Sequence, residues 1–435
     1  MLKTLRLAAA TALMAAGISA PAMAQDAVIH AGHVLAVPGE GYLTRQTIMV
    51  EDGRITSITP GYQRPANRAP VIDLKDAYVL PGLIDSHVHL LTENGPGRRL
   101  QMLQYSETDY ALQGARHARL TLEAGFTTVQ DVGGVDEAIF SLRDAIARGD
   151  VIGPRIRASG RAVTPTGGHG DGNGFSPALA AIFSGNTCNG ADDCRRATRQ
   201  VIKNGADIIK ITATGGVLSN TAAGLEQQLF DDEIAAIVET AATMGRKVTA
   251  HAHGKGGIEA ALRNGVQSIE HGTYLDEETV ALFRERGATL VPTVLAGATV
   301  TGWTNEPWLP EPSRAKAAIV GPLMLDMLRT AREGGVRVAF GTDTGVSVHG
   351  GNAEEFVLMV EAGYTPEEAI HTATVVASEH LEMEADIGTL EDGKFADIVA
   401  FDSDPLEDIA ELSDVDFVMK GGVVVASDFQ RFSAP

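Results

Sequence analysis

Cysteine is nearly absent from this sequence: its 435 residues include two, Cys188 and Cys194. One disulfide is therefore the most the chain can form. A thiolate metal site at this pair lacks a third soft ligand nearby. Long apolar runs are missing too. Past the first two dozen residues, no stretch is long enough to span a bilayer. Positive charge is scarce, with 35 Lys and Arg against 56 Asp and Glu, a formal net charge of -21. Such a surface repels polyanions, which argues against nucleic acid or anionic lipid as a partner. It leaves the substrate open, because a pocket can differ in sign from the whole molecule.

What is present suits a large folded protein. Hydrophobic residues make up 44% and charged residues 21%, enough for a sizeable core. The length fits a large barrel with a small companion domain. Residues 1–24 read as a secretory signal peptide. Lys3 and Arg6 form a basic start, Leu7 to Ala20 is apolar, and Ala22-Met23-Ala24 offers cleavage after Ala24. An uncleaved anchor is the alternative. A cleaved chain is expected to be soluble, in a periplasm or outside the cell. That compartment permits a Cys188–Cys194 disulfide, which is favoured over free thiols or metal ligation.

The two ends of the chain share a β style. Ala27–His30, Gln46–Val50 and Ile55–Ile58 are strand-like, and Asp52-Gly53 supplies a hairpin turn. Gly393–Phe401 and Asp416–Val425 repeat the style, the latter around Gly421-Gly422. One small composite β-sandwich domain, from 25–80 and 384–435, is the expectation. Residues 81–383 alternate short apolar strands with helices, as in a (β/α)8 TIM barrel of the α/β class. The strand candidates are 83–85, 127–129, 155–158, 208–211, 247–250, 268–270, 289–292 and 336–340. Glu233–Met244 and Ile258–Asn264 read as helices. Thr365, Pro366 and Glu368 form a helix start with a capping box. Thr164 to Asp193 reads as one long loop, of the kind that serves as a lid or binding loop.

His87 and His89 flank one residue at the end of the first barrel strand, so both imidazoles face one way and could share a metal. Lys210 interrupts the strand Asp207–Thr212, which should be buried on both faces. A buried ammonium must neutralise or find a partner. Carbamylation by CO2 is one escape, and snorkelling to the strand end is the other. His251 and His271 end the fifth and sixth strands, and Asp343 follows the eighth. Polar groups gathered at C-terminal strand ends are the active-site pattern of such barrels.

Taken together, the sequence resembles the binuclear amidohydrolase superfamily over nearly all of the mature chain. The resemblance rests on Pro81-Gly82-Leu83-Ile84-Asp85-Ser86-His87-Val88-His89 and on the later Lys, His, His and Asp in order. It implies two divalent metal ions. His87, His89 and Asp343 would hold one, His251 and His271 the other, with a CO2-derived carbamate on Lys210 bridging them. Mixed histidine and carboxylate ligands suit zinc, with manganese or cobalt as alternatives. Thr166–Gly170, Lys210–Gly216 and His251–Gly254 are similar to the prolidase- and carboxypeptidase-like branch, which includes ochratoxin-hydrolysing amidases. Imidazolonepropionase-like relatives share parts of these segments. Single-metal deaminases fit worse, since Gly254 stands where they carry a glutamate.

The implied activity is hydrolysis of an amide or peptide bond by a metal-bridged hydroxide, releasing a C-terminal amino acid. Asp343 would shuttle the proton. Dipeptides, N-acyl amino acids and ochratoxin-like amides are candidate small-molecule substrates. His253 competes with His251 for the ligand position, and otherwise it and His169 would face substrate. His30, His33, His117, His349, His371 and His380 carry no motif. A cyclic-amide or lactone hydrolase is the rival enzyme reading, and an exported binding protein the rival outside catalysis. Barrels of this kind often assemble, so a homo-oligomer is expected.

Overall fold

A computed structural model of the chain describes residues 26–65, 69–427 and 432–433. The proposed signal segment lies outside the described residues. No helix among them is long and apolar enough to cross a membrane.

Short strands form the barrel, and six of the eight are buried at every position, as suits parallel strands covered on both faces. Leu83–Val88, Phe126–Asp131 and Arg155–Ala158 pair in parallel as one arc. Ile209–Thr212, Val248–Ala252, Ser268–His271, Thr289–Val291 and Arg337–Val338 form the other. Backbone hydrogen bonds close the seams. Asp207 N–H donates to the Ala158 carbonyl at 2.8 Å, and Asp343 N–H to that of His87 at 2.7 Å. The eighth strand is shorter than the expected 336–340. Its ladder ends at Val338 because the Phe340 N–H turns to the Thr372 carbonyl and its own carbonyl accepts from Ser86.

The two chain ends meet in one eight-stranded sheet. Ile398–Phe401 lies antiparallel to Val71–Pro81, which runs straight into the first barrel strand. Ile29, Ile48, Leu74, Ile398 and Phe417 belong to a core of its own. Both expected hairpins are present. Asp52 and Gly53 have φ of 51° and 79°, and Gly421 and Gly422 54° and 77°, the paired positive values of a tight two-residue turn. The Thr365 capping box with Glu368 is formed.

The segment 164–193 is not one structureless loop. It holds the strand end Val163–Pro165, a helix Pro177–Phe183 and a strand Asn186–Cys188. Pro177 suits a first helical turn after Ser176, and an alanine-rich run follows. Cys188 and Cys194 form a disulfide that ties this strand to the first turn of the helix Ala191–Asn204. The connection after the seventh strand is also long. It carries the helices Val294–Gly302, Glu311–Val320 and Met324–Glu333.

Candidate active site

All eight residues singled out from the sequence line one cavity of about 540 Å3 at the C-terminal end of the barrel strands. His87 and His89 occupy the end of Leu83–Val88 and the residue after it, with rings 5.3 Å apart. Asp343 faces both: its Oδ1 is 3.4 Å from His87 Nε2 and 3.1 Å from His89 Nε2. His251 Nδ1 and His271 Nε2 approach to 2.9 Å. Lys210 points inward from its strand and is buried. Its Nζ has no hydrogen-bond partner among the described residues. His169, from the long connection, stacks on His251 at 4.1 Å, with Nδ1 2.7 Å from Ser219 Oγ. His253 stacks on His271 at 4.8 Å.

Hydrogen bonds on the outer side of each ring set its chemistry. His87 Nδ1–H donates to the Glu270 carboxylate at 2.6 Å, and His89 Nδ1–H to the Gly133 carbonyl at 2.9 Å. His251 Nε2 lies 3.3 Å from the Gly215 carbonyl, and His271 Nδ1 2.7 Å from Thr293 Oγ1. With the outer nitrogens so occupied, the inner ones present lone pairs to a common space. This is the arrangement of metal-ligating imidazoles. One ligand atom each from His87, His271 and Asp343 lies within 4.8 Å of the others, and the same holds for His251, His253 and His271. The residues therefore fit divalent cations. His253 stands as close to the second group as His251 does, so the structure keeps both in reach.

Electrostatics agree with that fit. Burial, reinforced by neighbouring histidines, drives His251 and His271 well below the usual imidazole range. They are neutral, the form that ligates metal. Burial takes His169 down to about 4 and His253 to about 3. Burial also lowers Lys210, against the pull of Glu270 and Asp343. A free amine is the form that captures CO2. Burial would raise Asp343, but the adjacent His87 and His89 rings outweigh it, and the carboxyl stays well below its usual range.

The backbone is strained at three of these points. His271, Thr293 and Asp343 have φ of 72°, 51° and 57°, a region that side-chain-bearing residues seldom adopt and that clusters at functional sites. Beside the turn at His271 lies a residue that no sequence motif singles out. Glu270 precedes it and reaches the same side of the barrel, where Thr249 also bonds its carboxylate. Burial would raise Glu270, yet its neighbours Lys210 and His87, with the hydrogen bonds from His87 and Thr249, bring it to about 2. Asp85 was also passed over. Its carboxylate accepts from His87 N–H at 3.0 Å, Thr342 Oγ1 at 2.7 Å and Asn352 Nδ2 at 2.8 Å, joining the first and eighth strands under the site. Gly216 allows the close approach of His169, whose ring would lie 2.2 Å from an added Cβ. His117 and His349, set aside from sequence, stack at 4.0 Å outside this cavity.

Comparisons with known proteins agree. Residues 78–425 match the family model for the amidohydrolase family. The chain is 33% identical to an ochratoxinase from Aspergillus niger, over 92% of this chain and 86% of that protein. A solved Xaa-Pro dipeptidase with methionine in its active site is 39% identical, with a TM-score of 0.87 over 92% of this chain and 99% of that one. A prolidase solved with N-methylphosphonate-L-proline is 33% identical, with a TM-score of 0.85 over 93% and 100%.

Proposed function

Starting from the fact that this chain belongs to the amidohydrolase family, in its prolidase- and ochratoxinase-like branch, we propose that it is a binuclear amidase that releases a C-terminal amino acid. The observation that carries this reading is the convergence of inward-facing imidazole lone pairs, Lys210 and Asp343 on one cavity. His87, His89 and Asp343 would hold one divalent cation and His251 with His271 the other, with carbamylated Lys210 between them. Such cations, zinc by ligand type, supply Lewis acidity for a water molecule and for the scissile carbonyl.

The chain's own groups do the rest. Asp343, ionised and facing both first-strand histidines, takes the proton of the attacking water and passes it to the leaving amine. Glu270 and Gly133 hold the His87 and His89 rings in one tautomer. His169 and His253 face the substrate across the cavity. Arg98, Arg99 and Arg161 also line it. They are suited to a substrate carboxylate in a molecule whose overall charge is negative. A dipeptide, an N-acyl amino acid or an ochratoxin-like amide would meet these demands. The Cys188–Cys194 disulfide supports export to an oxidising compartment.

The test is release of free amino acid from dipeptides and N-acyl amino acids by metal-loaded protein. Hydrolysis is expected, with loss on chelation. Asp343→Asn should lower kcat by roughly 10²–10⁴-fold, the usual span for a lost acid–base group. Two bound metals with Asp343→Asn at full rate would refute the role of Asp343. Ring opening of cyclic amides or lactones without amino-acid release would overturn the substrate assignment.

A further inference from the structure

A second cluster of ligating side chains lies outside the cavity, built from three separate segments. His117 comes from the helix Glu107–Glu123, Glu93 from the turn after the first barrel strand, and His349 from the loop after Asp343. One ligand atom from each lies within 4.8 Å of the other two. None of the three belongs to the site proposed above.

The hydrogen bonds around the two histidines are one-sided. His117 Nδ1–H donates to the Leu90 carbonyl at 2.8 Å, and His349 Nε2–H to the Thr92 carbonyl at 2.9 Å. Each bond fixes a tautomer and leaves the other nitrogen with a lone pair. His349 is 6% exposed, and its Nδ1 is a buried atom without a hydrogen-bond partner among the described residues. A buried polar atom of that kind requires an explanation, and a bound ion supplies one. Burial above all holds the His349 ring neutral, with a pKa of about 3. Burial lowers His117 too, in spite of Glu93. The cationic neighbour Arg116 is exposed, so solvent screens it.

The geometry points to an accessory site for a divalent transition-metal cation, of the zinc type, held by Glu93, His117 and His349. Two neutral imidazoles and one carboxylate are a common donor set for such ions, with the fourth position left to water. Glu93 and His117 also line an open cleft, through which an ion would enter. The two rings now stack with 18° between planes. Sharing an ion requires them to splay, and His349 sits in a loop outside any helix or strand. An ion there would tie the segment after His89 to the segment after Asp343.

The experiment is metal counting on the full mature protein after gel filtration, with zinc as the probe. Wild type should hold one equivalent more than His117→Gln and one more than Glu93→Gln. A His87→Ala, His89→Ala double variant should retain the accessory equivalent. The difference is independent of how many ions the barrel site holds, so it stands apart from the proposed function. Hydrolysis by Glu93→Gln should stay within two-fold of wild type. Glu93 is half-exposed, which keeps the test valid if His117→Gln does not fold. Equal zinc content in wild type and Glu93→Gln would overturn the site. Cobalt loading gives a second readout, in which the visible absorption of the accessory equivalent should be lost with Glu93→Gln.

Discussion

A lysine amine inside a barrel, with no hydrogen-bond partner among the described residues, must settle into a state its surroundings tolerate. For Lys210 those surroundings are Glu270 and Asp343, both anionic. The proposed carbamate turns the amine into a further ligand, and that makes a paired prediction. Metal uptake by wild type in CO2-free buffer should be slow and should recover with bicarbonate. Lys210→Ala should take up less metal and ignore bicarbonate. An equal bicarbonate response in the two proteins would count against the carbamate. Glu270→Gln should be milder, costing roughly 10–100-fold in metal affinity, as removal of an outer partner does. Lys210 was legible in the sequence because charge inside an apolar strand is anomalous. Glu270 was not, because strand alternation sets neighbours on opposite faces. It shares the inward face with its register partner His251, and the left-handed turn at His271, invisible in the sequence, lets His271 join it at the site.

Among the elements, those with local signals were read correctly. The Asp52-Gly53 and Gly421-Gly422 turns and the Thr365 cap each follow from residues within four positions. The segment 164–193 misled because its abundant glycine and asparagine mask a short helix that packing completes. The helix Glu354–Glu361 carries a feature of the same hidden kind. The Glu355 carboxylate accepts from the Val294 and Leu295 N–H groups at 3.0 and 2.6 Å, capping the helix that follows Thr293. Burial, which these bonds only partly offset, raises its pKa from an ordinary 4.5 to about 8. Below 4.5 both folded and unfolded chains keep this proton, and above 8 both lose it. Between those values only the unfolded chain ionises, so this group makes stability fall as pH rises. The effect of one such group is on the order of a few kcal/mol over the window. Glu355→Gln should flatten the decline in thermal midpoint between pH 5 and 8. Parallel declines in the two proteins would rule the explanation out.

At the scale of the whole molecule, the barrel and the joined chain ends were readable because both obey a repeating pattern of strand spacing. The three helices after the seventh strand were not, since no periodic signal says where a long connection will fold back. Yet that connection supplies Trp303, Trp308 and Met324 to the cavity wall, so the shape of the pocket was the least legible part. Charge distribution has the same divided character. The net charge of -21 was plain, whereas the gathering of Arg98, Arg99 and Arg161 on the cavity depends on the fold. Arg98 is bonded to Tyr110 at 3.0 Å, and Arg161 lies 4.0 Å from Glu107. Arg99 sits over the Phe175 ring at 5.4 Å, with no salt bridge among the described residues. It is the cation most available to a ligand. If the substrate carboxylate docks at this rim, the overall negative field opposes its approach and the arginines compensate at short range. Arg99→Ala should then raise KM for a dipeptide about tenfold, the loss of one charge-assisted contact, with kcat nearly unchanged. The matching dipeptide amide, which lacks the negative end, should show little change in KM. Equal KM increases for acid and amide would mean that Arg99 shapes the wall without reading the carboxylate.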